Sequence, residues 1–134
     1  MIFLIMSKEY TTDFLVDFGP DGQKLLPVVT QDFNTKEVLI LSFVNEEAFN
    51  ETIRSGYATY WSRSRNELWK KGLTSGDMLR IEEIRVNCEQ NSFLFFVTPE
   101  GKGACHAKKE GGLPYHSCYY RKIEKDRSLT IIEK

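Results

Sequence analysis

Histidine occurs twice, cysteine three times, proline four times and tryptophan twice in this sequence. Four prolines and nine glycines in 134 residues exclude a collagen-like or low-complexity chain. An odd count of three cysteines argues against a disulfide-stapled secreted scaffold. It points instead to a reducing compartment, where thiols bind metal or do chemistry. No run approaches the roughly 20 apolar residues of a membrane-spanning helix. The apolar opening Met1-Ile2-Phe3-Leu4-Ile5-Met6 has no basic leader and no small-residue cleavage site, and Ser7-Lys8-Glu9 cuts it short. It does not read as a signal peptide, and the cytoplasm is the expected location. Excess charge is lacking as well. Eighteen basic and 19 acidic residues leave a net charge of -1, so no global field draws the chain to nucleic acid or an anionic membrane, and anion binding has to be local.

What is present suits a folded protein. The hydrophobic share is 41% and the charged share 28%, and the length fits a single domain over 1–134 with an N-terminal arm over 1–24. Gly19-Pro20-Asp21-Gly22 is a turn that separates the arm from the body. Leu26 to Gln31 and Glu37 to Val44 read as strands joined by Asp32-Phe33-Asn34-Thr35, hence an antiparallel hairpin. Asn45 is a good N-cap, Glu46 and Glu47 suit the positive end of a helix dipole, and Ala48, Phe49, Thr52 and Ile53 share a helical face that ends at Gly56. Tyr57 to Ser62, Met78 to Asn87, Ser92 to Thr98, Tyr119 to Ile123 and Ser128 to Ile132 read as further strands. Residues 101–116, rich in glycine, read as a long ordered loop, and such loops are usually functional.

Two constellations carry chemistry. All the cysteines and histidines, Cys88, Cys105, His106, His116 and Cys118, fall between positions 88 and 118. Thiolate and imidazole are the ligands zinc prefers, and three protein ligands leave a fourth position for an acidified water. Spacing alone fits small buried thiols and solvated imidazoles equally well, because no C-x-x-C pair is present. The second constellation is Tyr60-Trp61-Ser62-Arg63-Ser64-Arg65 with Leu68-Trp69-Lys70-Lys71-Gly72 and Thr74-Ser75-Gly76. Guanidinium, ammonium, hydroxyl and loop-amide donors beside aromatic faces suit a nucleotide. A solvated hairpin alternating charges with buried aromatics, or a surface for single-stranded RNA, has the same composition.

Taken together these segments resemble the phosphoribosyl-AMP cyclohydrolase family of histidine biosynthesis, in which the domain stands alone or is fused to a pyrophosphohydrolase. The likeness runs from Leu26-Pro27-Val28-Val29-Thr30-Gln31-Asp32 through Ala58-Thr59-Tyr60-Trp61-Ser62-Arg63-Ser64-Arg65 to Ala104-Cys105-His106 and Ser117-Cys118-Tyr119-Tyr120-Arg121. The resemblance implies a mainly β, α+β fold, a small antiparallel barrel-like sheet capped by one helix, and a homodimer. It implies zinc held at the subunit boundary by Cys88 of one chain with Cys105 and Cys118 of the other. His106 would be the general acid/base, and Trp61, Arg63, Ser64, Arg65, Lys70, Lys71, Thr74 and Ser75 would bind a nucleotide carrying two phosphates. The implied reaction is hydrolysis of the substrate's purine ring between nitrogen 1 and carbon 6.

The sequence departs from that pattern twice. Relatives carry Asp-Cys-Asp-x-Asp, whose carboxylates bind magnesium, whereas this chain has Asn87-Cys88-Glu89-Gln90-Asn91, a degenerate magnesium site expected to bind weakly. Residues 106–117 also separate the last two cysteines more widely than the pattern does, and Lys108 to Pro114 read as an inserted loop whose lysines could face phosphate. His116 has no counterpart in the pattern. A zinc hydrolase for another nucleotide base, and a zinc-stabilised RNA-binding module, are the competing expectations, the latter disfavoured by the near-neutral charge.

Overall fold

A computed structural model describes residues 7–133. The apolar opening 1–6 lies outside them. Among the described residues, eight strands and one helix follow in the order β1 (Leu26–Asp32), β2 (Val38–Val44), α1 (Glu46–Ser55), β3 (Thr59–Ser62), β4 (Glu67–Lys70), β5 (Leu79–Val86), β6 (Phe93–Pro99), β7 (Arg121–Ile123) and β8 (Leu129–Ile131). Among the described residues no helix is long and apolar enough to cross a membrane.

The β1–β2 hairpin forms as its alternation predicts, with Val28 opposite Ser42 and Thr30 opposite Ile40. Asp32 closes it: its Oδ1 accepts from the amides of Asn34 (2.8 Å) and Thr35 (3.1 Å), an Asx-type turn. Helix α1 starts and stops at the expected caps. Asn45 Oδ1 accepts from Ala48 N at 2.9 Å, and Gly56, at φ +77°, donates its amide to Thr52 O. The face carrying Ala48, Phe49 and Thr52 is buried, and the Phe49 ring stacks on Phe93 of β6 at 4.6 Å between centroids. Val28, Leu39, Val44, Tyr60, Phe95 and Val97 complete the core, each nearly or wholly removed from water. Burial of each large apolar side chain stabilises by about 1.5–3 kcal/mol.

The sheet corrects one expectation. It is neither wholly antiparallel nor a barrel: four strands run in the order β2-β1-β6-β5, with β1 and β6 parallel, while β3–β4 and β7–β8 form separate two-stranded sheets. Four twisted strands are too few to close on themselves. The outer edge of β2 is instead occupied by the chain after the long loop, where Cys118 N donates to Leu39 O (2.7 Å) and Ser117 Oγ to Val38 O (2.6 Å). β4 is a strand that lay hidden inside the charged Arg63-to-Lys71 segment; it pairs with β3, Tyr60 facing Trp69. Among the described residues, 7–24 of the N-terminal arm contain no helix or strand, yet Phe18 is buried against Phe49 and Phe93.

Candidate active site

Residues 101–118 form a ladder with themselves. Ala104 N donates to His116 O (3.0 Å), Cys105 N to Tyr115 O (3.1 Å) and Tyr115 N to Ala107 O (3.1 Å). That pairing, with Cys118 anchored on the β2 edge, brings Cys105 and Cys118 together across the residues between them. The segment Lys109–Leu113 is a self-contained excursion, closed by Lys109 N donating to Leu113 O at 2.7 Å. Of the two loop lysines, Lys109 is held by Glu133, Nζ to Oε2 3.0 Å. Glu133 also accepts from the amides of His116 (2.6 Å) and Ser117 (3.3 Å). The His116 ring is used structurally too, its Nε2 lying 3.2 Å from Asp32 Oδ2.

Cys105 is buried and Cys118 half-buried. The Cys118 thiol is pushed up to about 12, first by burial, then by the charge and hydrogen bond of Cys105. Cys105 Sγ accepts from Ala107 N at 3.3 Å. Two adjoining thiols, one carrying an amide hydrogen bond, fit a soft metal such as zinc, which binds thiolates. Among the described residues no third Cys, His, Asp or Glu joins them. Cys88 stands apart, exposed in the β5–β6 turn. One chain therefore brings together two of the three cysteines expected as ligands.

The same turn does not fit magnesium. Asn87 Oδ1 accepts from the amides of Asn91 (2.8 Å) and Ser92 (2.9 Å), and Asn87 Nδ2 donates to Asn91 Oδ1 at 2.6 Å. Both carboxamide oxygens already serve the turn, and Glu89 alone remains as an exposed carboxylate. A hard cation finds one charged oxygen where it needs several.

A cavity of about 540 Å³ opens between the β3–β4 hairpin and the loop after it, lined by Arg65, Trp69, Lys70, Lys71, Thr74, Ser75 and His106 among others. It gathers six of the nine residues expected to bind or process substrate, counting His106 with the eight donors. Lys70 is partly engaged, its Nζ 3.6 Å from Glu51 Oε1. Lys71 is 6% exposed; burial lowers its basicity, opposed by the nearby Cys118, Asp77 and Cys105. It is placed as a counter-charge to the thiols as much as a phosphate donor. Trp61, Arg63 and Ser64 do not line this cavity; they line a second hollow with Leu41 and Phe43. Trp61 packs on the core, and Arg63 lies 5.1 Å over the Phe43 ring.

Asp77 escaped the sequence reading. It is buried, and its Oδ1 accepts from Lys102 N at 2.9 Å, tying the loop of Thr74 and Ser75 to the segment that carries Cys105 and His106. Gly72 and Gly101 make room for it: a Cβ on Gly72 would meet Asp77 C and O at 2.2 Å, and one on Gly101 would meet Asp77 Oδ1 at 2.0 Å. An aspartate directly after the Gly72-to-Gly76 loop was the available signal.

The model of the family described as phosphoribosyl-AMP cyclohydrolase matches residues 40–120. The chain belongs to the phosphoribosyl-AMP cyclohydrolase family. Among its relatives, the phosphoribosyl-AMP cyclohydrolase of Archaeoglobus fulgidus is 48% identical over 106 residues, 79% of this chain and 92% of that protein. The same-named protein of Desulfatibacillum aliphaticivorans is 44% identical over 117 residues, 87% of each. The histidine biosynthesis bifunctional protein of Aquifex aeolicus is 40% identical over 107 residues, 80% of this chain and 48% of that longer protein. The matched span 40–120 contains every cavity residue named above, all three cysteines and both histidines.

Proposed function

We propose that the chain hydrolyses phosphoribosyl-AMP between nitrogen 1 and carbon 6 of the purine ring, in histidine biosynthesis, as a homodimer with one zinc per chain. The observation that carries this reading is the cavity of about 540 Å³ that sets the donors of β4 and the following loop against His106, the residue next to Cys105. Family membership supplies the substrate.

Cys105 and Cys118 hold the metal, and Cys88 of the partner subunit is the third ligand. Two supports bear on the dimer: a single chain brings only two thiols together, and Val29, Leu41 and Trp69 expose apolar surface on the hairpins. Zinc bound there supplies a water acidic enough to act as a nucleophile near neutral pH. Arg65, Lys70, Thr74 and Ser75 grip phosphate and hold the ring in the cavity. His106 takes a proton as oxygen adds to carbon 6 and returns it to nitrogen 1 as the bond between them breaks. Carbon 6, still bonded to the imidazole ring, becomes a carboxamide with the exocyclic amine, and nitrogen 1 keeps its ribosyl phosphate on the formimino group. Residues 87–91 are assigned no second metal.

The test is absorbance-monitored ring opening by protein of measured zinc content. Activity should require zinc, and His106→Ala should lower kcat by about 10²–10⁴-fold. Zinc-loaded protein that binds phosphoribosyl-AMP without opening it would overturn the reading.

A further inference from the structure

Gln90 belongs to a surface turn between exposed Glu89 and Asn91, yet it is 5% exposed. Its backbone sits at φ +53°, a conformation that side-chain-bearing residues rarely adopt and keep only where their surroundings hold them. The surroundings are the N-terminal arm. Gln90 Oε1 accepts from Leu15 N at 2.7 Å, and Nε2 donates to Lys8 O and Asp13 O, both at 3.2 Å. Both donors and the acceptor of the carboxamide thus serve a segment more than seventy positions away in sequence. The arm is fixed in turn by Phe14, which stacks on Phe49 at 5.5 Å, and by buried Phe18. Between arm and turn lies a hollow of about 440 Å³, with Thr11 and Asp13 on one wall and Asn87 and Cys88 on the other.

We propose that Gln90 is a positioning residue which, by docking arm residues 8–15 on the β5–β6 turn, sets the direction in which the Cys88 thiol is offered to a partner subunit. The inference rests on the reading of Cys88 as the third zinc ligand. An exposed thiol on an untethered turn has to be ordered each time it binds metal, which weakens binding. The turn is braced from inside by Asn87 and from outside by the arm, and Gln90 joins the two. Outer supports of this kind typically change metal affinity by about 10–100-fold.

Cobalt replaces zinc in the full-length dimer for the test, because thiolate-to-cobalt charge-transfer intensity reports the number of thiolates bound. Cys88→Ser should reduce that intensity by about a third. Gln90→Ala, and Gln90→Glu, which keeps size and acceptor but sets an oxygen against Lys8 O and Asp13 O, should shift it toward the Cys88→Ser value. Both should weaken zinc about 10–100-fold in chelator competition. If Gln90→Ala is recovered unfolded, Gln90→Glu decides. Parent-like cobalt spectra and zinc affinity in the Gln90 variants, with Cys88→Ser still losing its third, would overturn the positioning role alone. An unchanged spectrum in Cys88→Ser would show that Cys88 is no ligand, and both readings would fall.

Discussion

Replacing Gly101 with alanine tests how tightly the two halves of the cavity are coupled through Asp77. The added methyl would sit 2.0 Å from Asp77 Oδ1 and 2.5 Å from Asp77 Cα. Asp77 has little room to retreat, since its C and O already lie where a Cβ on Gly72 would be at 2.2 Å. The segment bearing Gly101 must therefore yield. Opening 2.0 Å to the 3.4 Å of an ordinary contact means a shift of about 1.4 Å, against the Lys102 amide bond to Asp77. Overpacking of this kind destabilises by about 1–3 kcal/mol. Cys105 and His106 lie within five residues along the same segment. Misplacement of catalytic groups by about 1 Å costs on the order of 100-fold in rate, so kcat should fall by about that factor. Gly76→Ala is the control: its φ of +85° makes alanine strained by about 1–2 kcal/mol, but no atom lies within 4 Å of the new methyl. Urea denaturation of metal-free protein and steady-state ring opening measure the two effects. A Gly101→Ala variant that loses stability but keeps full kcat would refute the coupling, and one that loses neither would show that Asp77 is loosely packed.

Four further outcomes are expected. Purified protein should carry about one zinc per chain, lost in Cys105→Ser; retention by Cys88→Ser, Cys105→Ser and Cys118→Ser alike in metal analysis would defeat the assignment. Mixing inactive Cys88→Ser with inactive Cys105→Ser should restore some activity, because a mixed dimer rebuilds one complete site, and no recovery would mean that the ligands do not cross between chains. Magnesium titrated into chelator-treated, zinc-reloaded protein should have little effect, and Asn87→Asp/Asn91→Asp should create a dependence by setting two carboxylates where a 2.6 Å amide bond now lies; tight dependence in the parent that the double variant leaves unchanged would contradict this. Tyr60→Phe strands the buried Thr30 hydroxyl that now bonds Tyr60 at 2.7 Å and should destabilise by about 1–3 kcal/mol, whereas Tyr60→Phe/Thr30→Val should recover most of the loss in urea melts.

The parts of the fold legible in the sequence are those with local causes. Helix α1 is written in Asn45, Glu46, Glu47 and Gly56, all within one turn of its ends, and the β1–β2 hairpin in the alternation around Asp32. The parallel pairing of β1 with β6 joins residues more than sixty positions apart and has no local signature. β4 was obscured because its apolar residues Leu68 and Trp69 are adjacent and flanked by Glu67 and Lys70, which hides the period-two pattern of a strand. At the site, the donor types of the β3–β4 segment were legible, but not which hollow each lines: Arg65 and Lys70 line the cavity and Arg63 the second hollow. Asp77 and Gln90 were missed because their partners, Lys102 and residues 8–15, are near them only in three dimensions.

The Glu133 carboxylate, bonded to the amides of His116 and Ser117 and to Lys109, makes the C-terminal tail a tether on the loop that ends at Cys118. Pulling on the tail moves the residue next to a thiol. A purification tag or fusion joined after this point is expected to disturb the cysteine-bearing loop first, and metal content measured against untagged protein is the property on which the two should diverge.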